Sequence, residues 1–183
     1  MARDAFAGSV VEARDAVRVR VTDHYERRGR ELWGLARRLG ASDDEAADVV
    51  QEAHLRLFRE LASGTAIDDI DAWVFRVAYR LVMDQHRVGR RLRDLVGRLT
   101  DARPTSMVHR LDDALSLWPM VDRLPARERT TLYLRYRADL TFEQIGEVMG
   151  ITTASARTYA SRGTERLRVT LNEADRPDGG RDA

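Results

Sequence analysis

The stretch LTFEQIGEVMGITTASARTY, Leu140–Tyr159, leaves the backbone little choice. Thr141, with Gln144 three residues on, has the spacing of a capping box, in which two side chains satisfy each other's backbone N–H groups. Phe142, Ile145, Val148 and Met149 then recur at helical spacing, so one face is apolar. Gly146 lies where a larger side chain would hold a neighbouring helix away. Gly150 follows the last apolar residue, the position of a left-handed C-cap. Ile151 plugs the turn, and Thr152 or Thr153 caps a second helix running towards Arg168. Helices joined this tightly meet at a steep angle, the geometry of a helix-turn-helix. The second helix carries Thr153, Ser155, Arg157, Thr158, Tyr159, Ser161 and Arg162, a polar and basic face able to contact base edges and phosphates. An ordinary helical hairpin with a solvated outer face would share this pattern, so the rest of the chain has to decide.

Helical spacing dominates elsewhere too. Only four prolines and twelve glycines interrupt 183 residues. Residues 1–21 are weakly patterned, and VRVRV at Val17–Val21, lacking a partner strand, reads as helix or tether. From Asp23 a helix is expected, with Tyr25, Leu32, Leu35, Ala36 and Leu39 on its apolar side and Gly40 ending it. Ser42 caps the next helix and Glu45 completes a second capping box. Ala46, Val49, Val50, Ala53, Leu57, Phe58 and Leu61 keep its register. Ser63–Asp69 is a loop, after which Ile70, Val74, Val77, Ala78 and Leu81 mark a third helix. Residues 92–113, with Gly97 and Pro104, read as a flexible linker that is in part helical. Leu111, Leu115, Trp118 and Val121 open a second domain, Leu124-Pro125 starts a further helix with Leu132 and Tyr136 facing inward, and Glu173–Ala183 reads as a disordered tail. The expected fold is all-α, with two small helical domains at 22–91 and 114–171, an extension at 1–21, and a tail at 172–183.

Composition excludes more than it selects. A hydrophobic fraction of 43% permits a packed core, and a charged fraction of 33% suits a strongly helical protein. Net charge is only +1, so distribution matters more than the sum. Asp43–Glu52 is acidic without a base, whereas Arg76–Arg93 holds six arginines against Asp84. All 31 basic residues are arginine, the residue suited to phosphate and guanine. No cysteine is available for disulfides or thiolate sites, and His24, His54, His86 and His109 lack ligand spacing. No apolar run spans a bilayer, and the N-terminus lacks a signal peptide's hydrophobic segment. The expectation is a cytoplasmic, nucleoid-associated protein without cofactor, metal or membrane insertion.

Two segments together resemble a known family. SDDEAADVVQEAHLRLFREL followed by DAWVFRVAYRLVMDQHR resembles region two of bacterial RNA polymerase sigma factors. LPARERTTLYLRYRADLTFEQIGEVMGITTASARTYASRGTERLR resembles their region four. The order and spacing match the extracytoplasmic-function (ECF) group. The resemblance implies a promoter-specificity subunit that binds core RNA polymerase at the β′ clamp helices and β flap. It further implies promoter DNA as ligand, an anti-sigma factor as partner, and no enzymatic activity.

Residue by residue, Asp48, Gln51 and Glu52 stand at i, i+3 and i+4 and so share a helix face. In the family this cluster meets the basic clamp helices, and in isolation it would read as a solvated acidic face. Arg76, Arg80, Asp84, Arg87, Arg90 and Arg91 follow on the helix that, in the family, captures the opened minus-ten element with the preceding loop. Trp73 and Phe75 are expected near that surface, Trp73 with a core role. Many members carry Asn where this chain has Arg80, and Arg prefers guanine or phosphate. On the minus-thirty-five reader, Arg157 and Thr158 match the family's Lys and Ser. Ala156 and Ala160 replace larger apolar residues, which thins the packing. Tyr159 replaces the usual Arg and is free to stack on a sugar, touch a thymine methyl or fill the thinned core.

Three rival readings carry less. A stand-alone helix-turn-helix regulator would need a dimer interface to span two half-sites, and no heptad run or unexplained apolar stripe supplies one. An enzyme would need more than Asp43/Asp44 and Asp68/Asp69, acid pairs that helix capping and the helix dipole explain. A pure protein-interaction module leaves the basic helix from Arg76 without a purpose.

Overall fold

Capping chemistry and Gly stops divide the chain where the sequence suggests. The computed structural model describes the backbone at 2–96 and 117–174, and side chains at 12–88 and 117–173. Every regular element among these residues is an α-helix: α1 Ala2–Arg38, α2 Asp43–Ala62, α3 Ile70–Val96, α4 Trp118–Val121, α5 Ala126–Tyr136, α6 Phe142–Met149 and α7 Thr153–Ala174. The chain forms two compact units, Met1–Thr105 and Ser106–Ala183.

In the first unit α1, α2 and α3 pack on one another. Ser42 starts α2 through a complete capping box, its hydroxyl accepting from the Glu45 amide at 3.3 Å while its own amide donates to Glu45 Oε2 at 2.7 Å. That backbone N–H, and then the hydroxyl, hold the Glu45 carboxyl below its usual range. Asp69 accepts from the Ala72 amide at 2.9 Å and so caps α3. Leu32, Leu35, Val49, Leu57, Val74 and Phe75 form the core. By hydrophobic burial each contributes roughly 1.5–3 kcal/mol.

In the second unit α7 packs against α5 and α6, with the short α4 beside it. Leu132, Leu134, Leu140 and Ile145 are fully buried. Thr141 and Gln144 form the expected capping box at the start of α6, and Gly150 ends that helix at φ 65°, a conformation that costs a residue with a Cβ.

Several expectations need correction. The helix expected from Asp23 begins at Ala2, so residues 2–21 belong to α1 without a break. Of the two readings open to VRVRV, helix or tether, it takes the helix, whereas Tyr25, placed on the apolar side, is 52% exposed. Tyr136 is 65% exposed rather than inward-facing. Tyr133, three residues earlier and about 60° away around the helix, takes the buried place at 2%. Residues 92–96 supply the helical part read into the linker and extend α3, whereas Glu173, assigned to the tail, closes α7 with Ala174. Leu111, Leu115 and the remainder of linker and tail lie outside the described residues.

Candidate nucleic-acid interface

The helix-turn-helix owes its corner to one missing side chain. A Cβ on Gly146 would stand 2.9 Å from the Ile151 carbonyl oxygen and 3.4 Å from the Thr153 amide nitrogen. Gly146 thus faces the backbone of the turn and the start of α7 rather than the flank of a second helix. Its own carbonyl accepts from the Ile151 amide at 2.9 Å, which closes the turn. Of the two threonines suggested as caps, Thr152 does the work, accepting from the Ser155 amide at 3.1 Å.

α7 then divides cleanly. Ala156 and Ala160 are buried, and Gly163 continues their row. A Cβ on Gly163 would meet Leu132 Cδ1 at 2.9 Å. The small residues therefore bring α7 close against α5, and the thinning expected at the two alanines takes the form of close approach. Arg157, Thr158, Ser161 and Arg162 are exposed on the opposite side, with Thr153, Ser155 and Tyr159 half-buried along its edges. Thr158 donates to the Ala154 carbonyl at 2.9 Å, and Ser155 shares a 2.9 Å hydroxyl contact with Thr152.

Two edges of this surface are tied down. Arg157 lies 3.3 Å from Glu143 Oε1 and 5.6 Å over the Phe142 ring, both on α6. The Glu143 carboxyl sits below its usual range, held first by its own backbone amide and then by the Thr141 hydroxyl and Arg157. On the other edge the Tyr159 hydroxyl accepts from Arg127 Nη1 at 2.7 Å, with the guanidinium 5.7 Å over its ring. Tyr159 thus reaches across to α5 and neither fills the core nor stands alone. Glu143 and Arg127 escaped sequence reading because their partners lie 14 and 32 residues away.

The first unit carries two further surfaces. Asp48 and Gln51 are exposed on α2 and Glu52 is half-buried beside them, opposite the buried Ala46, Val49, Val50 and Ala53. Glu52 pairs with Arg56 at 2.8 Å. Leu55, 40% exposed on the same face, was not anticipated, although its i+3 and i+4 spacing from Glu52 and Gln51 would have shown it.

On α3, Arg80, Asp84 and Arg87 are exposed and Arg76 is half-buried, all within about 80° of one another by helical geometry. Asp84 and Arg87 pair at 3.3 Å. Arg90 and Arg91 continue the helix, with side chains outside those described. Of the aromatics expected near this surface, Trp73 is half-buried whereas Phe75 is a fully buried core residue, since it lies on the opposite side of α3. The loop Ser63–Asp69 precedes the helix as expected. Among the described residues no group of three or more acidic, His or Cys side chains is arranged for a metal ion, and no helix is long and apolar enough to cross a membrane.

Two units that are helical throughout their described regular elements, one carrying a helix-turn-helix and the other a basic helix, have the architecture of a DNA-binding protein. Residues 24–92 match the Sigma-70 region 2 family and residues 120–169 match Sigma-70, region 4. The ECF RNA polymerase sigma factor SigL of Mycobacterium tuberculosis is 30% identical over 157 residues, covering 81% of this chain and 87% of that protein. SigV of Bacillus subtilis is 24% identical, covering 85% and 90%. In structure the chain is similar to the sigma factor RpoE, solved in complex with the anti-sigma factor NepR from Bartonella quintana (TM-score 0.61, 19% identity, 94% and 99% coverage). It is also similar to CnrH, solved with the cytosolic domain of CnrY (TM-score 0.56, 18% identity, 91% and 96% coverage). The chain belongs to the ECF group of RNA polymerase sigma factors. Proteins of this family are regulatory subunits that act in transcription initiation by binding core RNA polymerase and promoter DNA.

Proposed function

We propose that this sigma factor docks on the β′ clamp helices through Asp48, Gln51 and Glu52 of α2. It then reads the minus-ten element with Arg76, Arg80, Asp84, Arg87, Arg90 and Arg91 of α3. The minus-thirty-five element is read by Thr153, Ser155, Arg157, Thr158, Tyr159, Ser161 and Arg162 of α7. The observation that carries this reading is that an acidic and a basic face on adjacent helices and a helix-turn-helix share one chain. The acidic face suits a basic partner helix, and the basic face suits phosphates. Binding free energy is converted into promoter choice and strand opening, with no bond made by the sigma factor itself. An anti-sigma partner fits the same reading, since RpoE was solved with one.

Run-off transcription on sheared genomic DNA with core bacterial polymerase tests the proposal. New start sites that require the protein, and at least a tenfold loss of them with Glu52→Arg, are expected. Absence of new starts, together with failure to comigrate with core polymerase, would leave a stand-alone regulator as the explanation of the helix-turn-helix.

A further inference from the structure

The exposed face of α7 is bracketed by two guanidiniums. Arg157 and Tyr159 are two residues apart, so on a helix of 3.6 residues per turn they point about 160° away from each other. Thr158, Ser161 and Arg162 lie between them on the exposed side. One edge is supplied by Arg157 itself, braced on Glu143 and Phe142 of α6. The other is supplied from a different helix, by exposed Arg127 in the first turn of α5, gripped by the Tyr159 hydroxyl at 2.7 Å and ring at 5.7 Å.

A helix lying in the major groove, about 12 Å wide, has a phosphate strand along each edge. The Tyr159 edge is then where the second strand would pass. We infer that Arg127 is a further DNA-contacting residue of the helix-turn-helix, binding a backbone phosphate along the Tyr159 edge of α7, with Tyr159 as its positioning residue. The inference rests on the reading of α7 as the minus-thirty-five reader. Tyr159 accepts from Arg127 through its oxygen, so the hydroxyl hydrogen is left to donate to the same phosphate. The ring beneath the guanidinium limits its rotation, which lowers the entropy lost when the phosphate is bound. A planar fork held this way suits phosphate oxygens, and a phosphate contact adds affinity without base preference.

Full-length protein is titrated with a labelled random-sequence duplex across a potassium chloride series, with anisotropy as the readout. Arg127→Ala is expected to weaken binding and to reduce the slope of log affinity against log salt by about 0.9, the value of one phosphate contact. Arg127→Lys should restore the slope. Tyr159→Phe should weaken binding more in the parent than in the Arg127→Ala background, where only its own phosphate hydrogen bond is left to lose. A merely structural role for Arg127 would lower the melting temperature and leave the slope in place. Arg157→Ala is the control for the underlying reading. If Arg157→Ala lowers the slope and Arg127→Ala does not, the inference about Arg127 is overturned and α7 remains the reader. If neither changes it, α7 is not the DNA-binding helix and both readings fall.

Discussion

At the scale of single residues, two glycines set where α7 lies. Gly146 faces backbone, the Ile151 carbonyl at 2.9 Å, and backbone in a closed turn has nowhere to move. Gly163 faces a side chain, Leu132, whose end can rotate. Gly146→Ala is therefore expected to destabilise the second unit by about 1–3 kcal/mol, and Gly163→Ala by less, as urea unfolding of each variant would show. Equal losses would mean that Leu132 is as rigid as the turn. The smallness of both positions was legible in the sequence, but what they approach was not. Gly146 was read against a neighbouring helix because local spacing gives no view of a chain that doubles back five residues later. Ala156 and Ala160 likewise read as lost volume, whereas both are buried on the side of α7 that Gly163 sets against Leu132 of α5.

At the scale of the helix, the three-helix unit is joined by a buried polar cluster that one-dimensional spacing hides. His24 on α1 and His54 on α2 are 30 residues apart, yet their ring nitrogens Nδ1 and Nε2 lie 3.0 Å apart in the interior. His54 Nδ1 is 2.7 Å from the Val50 carbonyl and so donates to it, which leaves His54 Nε2 to accept from His24. His24 Nε2 lies 3.2 Å from Asp71 on α3, and Arg28 pairs with the same carboxylate. Tyr25 packs edge-on against His54. His24, followed by Arg28, holds the Asp71 carboxyl down to about 2 from 3.8, against the opposing effect of burial. Burial, aided by the charge of His24, pushes His54 below its ordinary 6.5. Both shifts are downward, so the unfolded chain takes up each proton first and acid favours unfolding. The stability held by His54 is complete above about pH 6.5 and is lost as pH falls below it. That held by Asp71 is complete above 3.8 and is lost towards 2. Unfolding of the first unit by denaturant is expected to become easier in two acid steps. Asp71→Asn should remove the lower step at a cost of at most about 2 kcal/mol at neutral pH. Helix existence and caps were readable from Ser42, Glu45, Thr141 and Gln144. Leu132 was rightly placed inward on α5, but which tyrosine joins it was not legible, because Tyr133 and Tyr136 are equally apolar and only the partner helices choose between them.

At the scale of the molecule, each unit has its own core, so neither needs the other in order to fold. Under the proposed function, what the connection between them supplies is effective concentration, because the second contact with polymerase-bound DNA would become intramolecular once the first is made. Cutting the chain between Thr105 and Ser106 is expected to leave two helical pieces by circular dichroism. Run-off transcription from the equimolar pieces should fall by roughly a hundredfold or more. Undiminished transcription would mean that the two units need no tether. The two-unit plan was visible in the order of motifs along the chain, whereas the continuity of α1 was not, since Val17–Val21 alternates and no cap marks an end. That continuity has a kinetic consequence. The side chains from Glu12 to Asp23 are exposed apart from the half-buried Val17 and Val21, and firm anchoring begins at His24. The stretch of α1 from Glu12 to Asp23 is therefore a zipper fastened at His24. Each turn lasts only as long as the turn that follows it, and amide lifetimes shorten from Asp23 back to Glu12 as on a graded clock.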